Sequence, residues 1–334
     1  MRAVYAQGVD AAHPLAMLRV GEMPEPQSRP YWSTVAVRAA SLNHHDLWSL
    51  QGVGLAAERT PMILGTDAAG VLLDDIAVGG AEHAAAWRAG DRVAIYGVIG
   101  TDGAGVGPGE RRSMLSERYP GTMAQRVAVP SANIMAAPAN LDDDEVAILG
   151  TSWLTAYAML FGAARVKPGD TVLVQGAGGG VSTAATQLAH AAGLEVFVAS
   201  RSPAKRERAL GLGADGAFDI GARLPHKVDA VIESVGRATW PHSIRSVRPG
   251  GVIAVCGATT GDQPGAELTR IFFQDIRVQG VTMGTREDFG RLLRFVEHAD
   301  LHPVIDHVYD FDHAAEAFAR MRDGDVFGNI VLRP

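Results

Sequence analysis

The sequence predicts an α/β protein in which a β-rich N-terminal region is joined to a doubly wound parallel sheet. Three observations predict this. The chain has 334 residues, more than a single hydrophobic core serves well, so two domains are expected. After Ala139, short apolar segments alternate regularly with amphipathic ones, as βαβ units require. Between Gln175 and Val181 an apolar strand runs into a glycine-rich turn and then into a helix.

Arg2–Tyr5, Leu15–Val20 and Thr34–Ala39 read as short strands, separated by turn chemistry at Gly21–Pro26 and Gln27–Pro30. Segments near Val71, at Arg92–Ile95 and at Ala124–Val129 add strands without βαβ alternation. Residues 98–122 are glycine-rich and aperiodic, and are expected to form a long, mobile surface loop. Asn140, followed by Asp142, Asp143 and Asp144, opens a helix with acids at the positive end of its dipole, and the helix is expected to run through Phe161. Strands at Thr171–Gln175, Glu195–Ala199, Gly216–Asp219, Asp229–Glu233, Val252–Cys256 and Arg277–Thr282 follow. Helices at Val181–Ala192, Ala204–Leu212, Trp240–Val247 and Leu268–Gln274 are interleaved with them. The tail reads helix (Glu287–His298), strand (Val304–Tyr309), helix (His313–Met321), strand (Asn329–Leu332).

Composition narrows the function. Hydrophobic residues at 47% and charged residues at 20% supply a large core and argue against disorder. The net charge of −7 repels a phosphate backbone, so nucleic acid is not an expected partner. No apolar run is long enough to span a membrane, and MRAVYAQGVDAAHPL lacks a signal-peptide core. The single cysteine, Cys256, leaves no intramolecular disulfide and no multi-cysteine zinc site, so a reducing, cytoplasmic setting is expected.

The sharpest motif is TVLVQGAGGGV. Gly176, Gly178, Gly179 and Gly180 sit between a strand and a helix whose first residue is Val181. Glycines permit the tight turn and let a pyrophosphate approach the backbone, and the helix N-terminus offers unpaired N–H groups and partial positive charge. Ser182 stands where a third glycine of the usual fingerprint would be. Cofactor choice is read at the end of the next strand. An acid there would hold both ribose hydroxyls of NAD, but this chain has Ser200, Arg201 and Ser202, then Lys205 and Arg206. Arginine neutralises a 2′-phosphate, so NADP(H) is the expected cofactor and the fold is of Rossmann type.

SLNHHDLWSLQG, PMILGTDAAGV, AGDRVAIYG, GTMAQRVAVP, TSWLTAYAML, KPGDTVLVQGAGGGV, SRSPAKRERALGLGAD, VRPGGVIAVCGATTG and FGNIVL occur in this order along the chain. With them the sequence resembles the medium-chain dehydrogenase/reductase superfamily over essentially its whole length, and most resembles its zinc-free, quinone-oxidoreductase-like members. The resemblance implies a GroES-like catalytic domain over residues 1–125 and 286–334, and a Rossmann NADP(H)-binding domain over 126–285. It also implies cofactor contacts at Thr155, Gly236, Gly257, Ala258, Thr259, Met283 and Gly284, and a homodimer paired edge to edge through Arg277–Thr282. Relatives often have Lys where this chain has Asn329.

The positions that hold catalytic zinc in many relatives are here Asn43, Thr66 and Thr151, none a good zinc ligand. No cysteines stand in 98–122 for a second, structural zinc. His44, His45, Asp46 and Asp67 could in principle rebuild a metal site, but neighbours on one segment seldom converge on one ion, so no metal is expected. Asn43, Asp46 and Gly52 reproduce the Asn-x-x-Asp-x-x-x-x-x-Gly pattern of the zinc-free members. Asn43, His44, His45 and Asp46 are accordingly the candidate catalytic residues, Asn43 as a hydrogen-bond donor and a histidine as the proton source. Asn43 and Asp46 fit turn capping equally. Some zinc-free relatives have a tyrosine near position 54, where this chain has Gly54. The expected activity is hydride transfer from NADPH to a quinone or an α,β-unsaturated carbonyl. The alternatives are an alcohol dehydrogenase with atypical zinc ligands and a non-catalytic NADPH-binding protein, a sensor or a crystallin-like form.

Overall fold

The computed structural model describes residues 1–76, 87–100 and 113–334. These divide into two compact units, Met1–Thr151 with Leu293–Pro334, and Ser152–Leu292.

In the first unit β1 (Arg2–Ala6) lies between β2 (Leu18–Glu22) and β4 (Met62–Ile63). The expected strand from Leu15 begins later, because Pro14 opens a single 3₁₀ turn over Pro14–Met17. The main sheet is built on the long β3 (Trp32–Leu42), whose inner face is buried at alternate positions. β5 (Ala68–Leu72) and β9 (Arg126–Pro130) pair antiparallel with it, and β6 (Arg92–Ile95) and β10 (Ile134–Ala136) extend the sheet beyond β5. The chain ends return here. β17 (Ile305–Asp310) runs parallel to β18 (Asn329–Arg333), and β18 pairs antiparallel with β3, setting Val331 opposite Ser41 and Ile330 opposite Leu42. The core beneath includes Val35, Leu42, Leu50, Leu64, Ile95, Phe311 and Phe318.

The expected domain boundary at 125/126 moves to 151/152. Residues 126–136 hydrogen-bond as strands to β3 and β6, a pairing that composition does not encode. The return falls at 292/293 rather than 285/286, within helix α8 (Arg286–His298). Residues 101–112 of the expected loop lie outside the described residues. At its ends, β7 (Val98–Ile99) and β8 (Ser113–Met114) pair antiparallel and Leu115 is fully buried, so these parts are ordered structure and not surface loop.

The expected continuous helix after Asn140 is also modified. Its cap is Asp142, which accepts from the Glu145 N–H at 2.9 Å and starts α2 (Asp143–Ala147). Wider π turns at Leu149–Trp153 and Ala158–Ala164 then flank α3 (Leu154–Tyr157). π turns tend to occur at functional sites. The first contains Gly150, where a Cβ would lie 2.7 Å from the Cβ of Asp67 and 2.8 Å from the Ile95 carbonyl oxygen.

The second unit is a six-stranded, all-parallel sheet of β11 (Thr171–Gln175), β12 (Glu195–Ala199), β13 (Gly216–Phe218), β14 (Val228–Glu233), β15 (Val247–Val255) and β16 (Arg277–Gly280). Their spatial order is β13-β12-β11-β14-β15-β16. Counted from β11 this is 3-2-1-4-5-6, the doubly wound order, with its switch point between β11 and β14. Every residue of β11 is buried, as a central parallel strand covered on both faces should be. Helices α4 (Gly180–Ala191), α5 (Pro203–Gly211), α6 (Trp240–Ser246) and α7 (Leu268–Phe273) connect the strands, and Leu173, Phe197, Val231, Trp240, Ile244 and Ile253 share a core. Among the described residues no helix is long and apolar enough to cross a membrane.

Candidate active site and dinucleotide site

In the first unit, β3 ends at Leu42 and turns at Asn43 directly into helix α1 (His44–Leu50), an element the sequence pattern did not reveal. The turn is held by Asp46. Its carboxylate, wholly buried, accepts from the Asn43 N–H at 2.8 Å and from the Gly65 N–H at 2.9 Å. Gly65 adopts φ +95°, and a Cβ there would fall 2.4 Å from Thr122 Oγ1, so glycine is required for its N–H to reach Asp46. Burial pushes the Asp46 carboxyl above the usual range, and the charge of His45 with the backbone donors draws it partly back.

Two residues past Gly65 lies Asp67, 1% exposed. Its Oδ1 accepts from Ser41 Oγ at 2.8 Å and from Asn43 Nδ2 at 3.0 Å, while its buried Oδ2 has no hydrogen-bond partner. Burial raises its pKa to about 7. Hydrogen bonding from Ser41 and Asn43 opposes the rise, and the charge of Asp46 adds to it. Thr66 Oγ1 and Thr151 Oγ1 are 2.9 Å apart, and Thr151 is half-exposed, the outermost member of the cluster.

This arrangement revises the expected catalytic roles. The two amide hydrogens of Asn43 go to Ser41 Oγ (2.9 Å) and Asp67, so Asn43 holds the cluster together and does not face outward as a donor. Asp46 serves the backbone in the same way, and the capping reading accounts for both. His45 Nε2 lies 3.1 Å from Glu117 Oε1, and its buried Nδ1 has no partner. The hydrogen bonds from His45 and the Met114 N–H hold the Glu117 carboxyl below its usual pKa despite burial. His44 keeps a solvent-exposed edge, and the protein packed around it lowers its imidazole pKa. Gly54 has φ +81°, and a Cβ on it would fall 2.7 Å from Glu117 Oε1. The missing tyrosine thus corresponds to space already used by Glu117.

The donor set does not fit zinc. At 43, 66 and 151 stand a committed amide and two hydroxyls bonded to each other, with no thiolate or imidazole among them. Among the described residues no group of three His, Cys, Asp or Glu is placed to hold a metal ion.

In the second unit, Gly176 has φ +86°, which the turn out of β11 requires. Gly179 is different. Its φ is −80°, and a Cβ on it would meet only Ser182 Oγ, at 3.6 Å. Neither backbone nor neighbours demand glycine at 179, which leaves room for a ligand against the main chain. Ser182 takes the third-glycine position by donating its hydroxyl to the Gly179 carbonyl at 2.9 Å. Gly178 is buried within the turn, and Gly180 and Val181 open α4 half-exposed.

At the end of β12, Arg201 is exposed. Ser200 Oγ accepts from the Ser202 N–H, and Ser202 Oγ from the Lys205 N–H as the cap of α5, so each serine retains a hydroxyl hydrogen to donate. Arg206 is engaged with the Ser200 carbonyl and Asp219. The loops after β14 and β15 interlock. Gly236, φ +89°, lies so close to its neighbour that a Cβ would fall 2.6 Å from the Gly261 oxygen, and Thr260 bonds Val235. Gly257 and Ala258 are half-buried beside them, and Thr259 is exposed. Gly284 packs against Leu154 with Met283 buried next to it, and Thr155 follows Leu154 on α3.

Under these loops lies a buried chain of hydrogen bonds that sequence reasoning missed. His242 Nε2 donates to the Ala222 carbonyl, leaving Nδ1 to accept from Gln175 Nε2, which also donates to Ser243 Oγ. Ser243 donates to Glu233 Oε2 at 2.6 Å, and Glu233 Oε1 accepts from the Val235 and Gly236 N–H groups. Burial with this carboxylate nearby pushes the Cys256 thiol up to about 12, so it stays protonated.

Residues 29–139 match the family described as alcohol dehydrogenase GroES-like domain, and residues 180–298 match zinc-binding dehydrogenase. The chain is 32% identical to a zinc-type alcohol dehydrogenase-like protein of Schizosaccharomyces pombe, over 90% of each chain. It is 27% identical to a crotonyl-CoA carboxylase/reductase of Cereibacter sphaeroides, over 86% of this chain and 76% of that one. Among solved structures, one titled as an NAD-dependent alcohol dehydrogenase superposes with a TM-score of 0.88 at 31% identity, covering 100% of both chains.

The raised pKa of Asp67 makes stability depend on pH. Between 3.8 and about 7 the folded chain keeps this proton and the unfolded chain releases it, so this group's contribution falls as pH rises through that window. Asp67→Asn removes the dependence, and thermal unfolding of the variant relative to the native chain is expected to improve steadily across the window. A stability difference that stays flat with pH would show that Asp67 is not held protonated.

Proposed function

The chain belongs to the medium-chain dehydrogenase/reductase superfamily and is an oxidoreductase, and we propose that it transfers hydride from NADPH to an α,β-unsaturated carbonyl or a quinone without zinc. The observation that carries this reading is the polar set at positions 43, 66 and 151, whose donors satisfy one another and offer no metal a ligand field. Oxidising an alcohol calls for a Lewis acid on its oxygen, whereas an activated acceptor needs only hydrogen-bond donors and a proton. The likeness to crotonyl-CoA carboxylase/reductase, and to an acryloyl-coenzyme A reductase of Sulfurisphaera tokodaii at 25% identity, supports an activated alkene as acceptor.

Bound NADPH supplies the hydride. Gly176–Val181 would hold its pyrophosphate, Arg201 with the Ser200 and Ser202 hydroxyls its 2′-phosphate, and Thr155, Gly236, Gly257–Thr259, Met283 and Gly284 the rest of the dinucleotide. The absence of an acid after β12 is what favours the phosphorylated cofactor. In the first unit, the half-exposed Thr151 hydroxyl and the exposed edge of His44 are the donors available to negative charge developing on a substrate oxygen. His45 is held in place by Glu117.

We further propose a homodimer. All four residues of β16, the edge strand of the parallel sheet, are exposed, as are Leu268, Phe272 and Phe273 on the adjoining α7. Apolar groups beside an unpaired strand edge suit continuation of the sheet into a second copy.

The protein is expected to oxidise NADPH with trans-2-hexenal or 9,10-phenanthrenequinone, and Arg201→Ala to weaken NADPH roughly 10- to 100-fold while leaving NADH unchanged, the loss of one charge-assisted contact. Cofactor bound but no acceptor of either class reduced, or equal losses for both nucleotides, contradicts the reading. In sedimentation the native chain is expected at twice its chain mass and Val278→Lys at a lower association constant; a native monomer refutes the dimer.

A further inference from the structure

The buried polar cluster contains one group that its structural role leaves half used. Oδ1 of Asp67 is committed to Ser41 and Asn43, but Oδ2 is buried without a partner. An unmet carboxylate oxygen is costly in such a place, whereas a carboxylic acid carries on that oxygen a hydrogen it can give away. The acid form also fits the surroundings. The ionisable group acting most directly on Asp67 is Asp46 on α1, whose charge opposes a second one, and His45 is engaged by Glu117. From the 149–153 turn the facing residues are Gly150 and Thr151, both uncharged.

There is one visible way out. Gly150 lets the main chain press against Asp67, so close that a Cβ there would lie 3.7 Å from the unpartnered Oδ2, and the next residue, Thr151, bonds Thr66, the neighbour of Asp67, at 2.9 Å. Asp67 is sealed from solvent and Thr151 is half-exposed, so the hydroxyl bridges the interior and the accessible face of the cluster. We propose that Asp67 is the proton source of the reductase, acting through the Thr151 hydroxyl. The inference rests on the proposed enone reductase activity and deepens it.

Hydride from NADPH, carrying two electrons, forms a C–H bond at the β-carbon of the acceptor, and the alkene π bond shifts to give an enolate. Thr151 gives its hydroxyl proton to the α-carbon and takes the Asp67 proton in the same relay. The products are the saturated carbonyl compound, NADP⁺ and the Asp67 carboxylate, which water reprotonates through Thr151. A hydroxyl relays a proton without changing its own charge, so neither threonine need ionise.

The test combines turnover of trans-2-hexenal with NADPH against pH and ¹³C NMR of Asp-labelled protein. The native chain is expected to lose kcat as pH rises through about 7, and to show one aspartate carboxyl titrating there. Asp67→Asn should lower kcat on the order of 100-fold, abolish that pH limb and remove that signal, with NADPH affinity kept. Thr151→Val, conservative and at the surface, should lower kcat and raise the solvent isotope effect while the Asp67 signal remains. Hexenal turnover that keeps its pH limb in Asp67→Asn, or no aspartate titrating near neutrality in the native chain, overturns the proton source alone. NADPH bound but no acceptor reduced by the native chain overturns the reductase reading and this inference with it.

Discussion

The first unit's site depends on a single buried carboxylate. Asp46 joins the turn that opens α1 to the Gly65 loop through two backbone N–H groups. Those two segments carry Asn43 and Thr66–Asp67, so the bridge sets the distance between them. A carboxylate survives burial only when donors meet it closely, which is why Gly65 must be a glycine. The C-terminal strand β18 completes the frame by pairing with Ser41 and Leu42, immediately before the turn. A second carboxylate then finds itself in the same enclosure. Asp67 cannot easily share the charge state of Asp46, and its raised pKa follows from that crowding as well as from burial.

The second unit repeats the logic with a different chemistry. Glu233, fully buried at the end of β14, gathers the Val235 and Gly236 N–H groups and the Thr239 and Ser243 hydroxyls. It thereby fixes the loop that interlocks with the one after β15, while Gln175 ties the same network to the end of β11, beside the glycine turn. The carboxyl edge at the switch point of the sheet is thus rigid before any ligand arrives, and a rigid edge loses less entropy on binding.

Much of this was legible in the sequence for identifiable reasons. The strands and helices of the parallel sheet were readable because buried parallel strands are continuous apolar runs separated by amphipathic helices. The glycine turn was readable because positive φ and close approach leave glycine as the residue of choice. Helix α1 was not, since HHDLWSL carries no clear apolar stripe and its start is secured by Asp46 reaching across to Gly65, a tertiary contact. The place of residues 126–136 depended on strand pairing across the chain, and Gly150 in the first π turn fits closely against Asp67. Glu117 lay in an aperiodic stretch with nothing to connect it to His45. Asp67 stood within the GTDAAG segment, but its significance comes from an unpartnered oxygen, which only the fold reveals. Asn43 was expected as an outward donor, whereas its amide hydrogens meet Ser41 and Asp67, because the sequence does not say which acceptors will surround an amide.

In the proposed reductase these residues work by hydrogen bonding and proton supply in place of metal coordination. The most direct measurement is the metal content of turnover-competent protein, with NADPH oxidation compared before and after dialysis against a strong chelator and again after added zinc. Activity is expected to be independent of bound zinc throughout. Activity that tracks zinc occupancy, lost on chelation and restored by the ion, would contradict it.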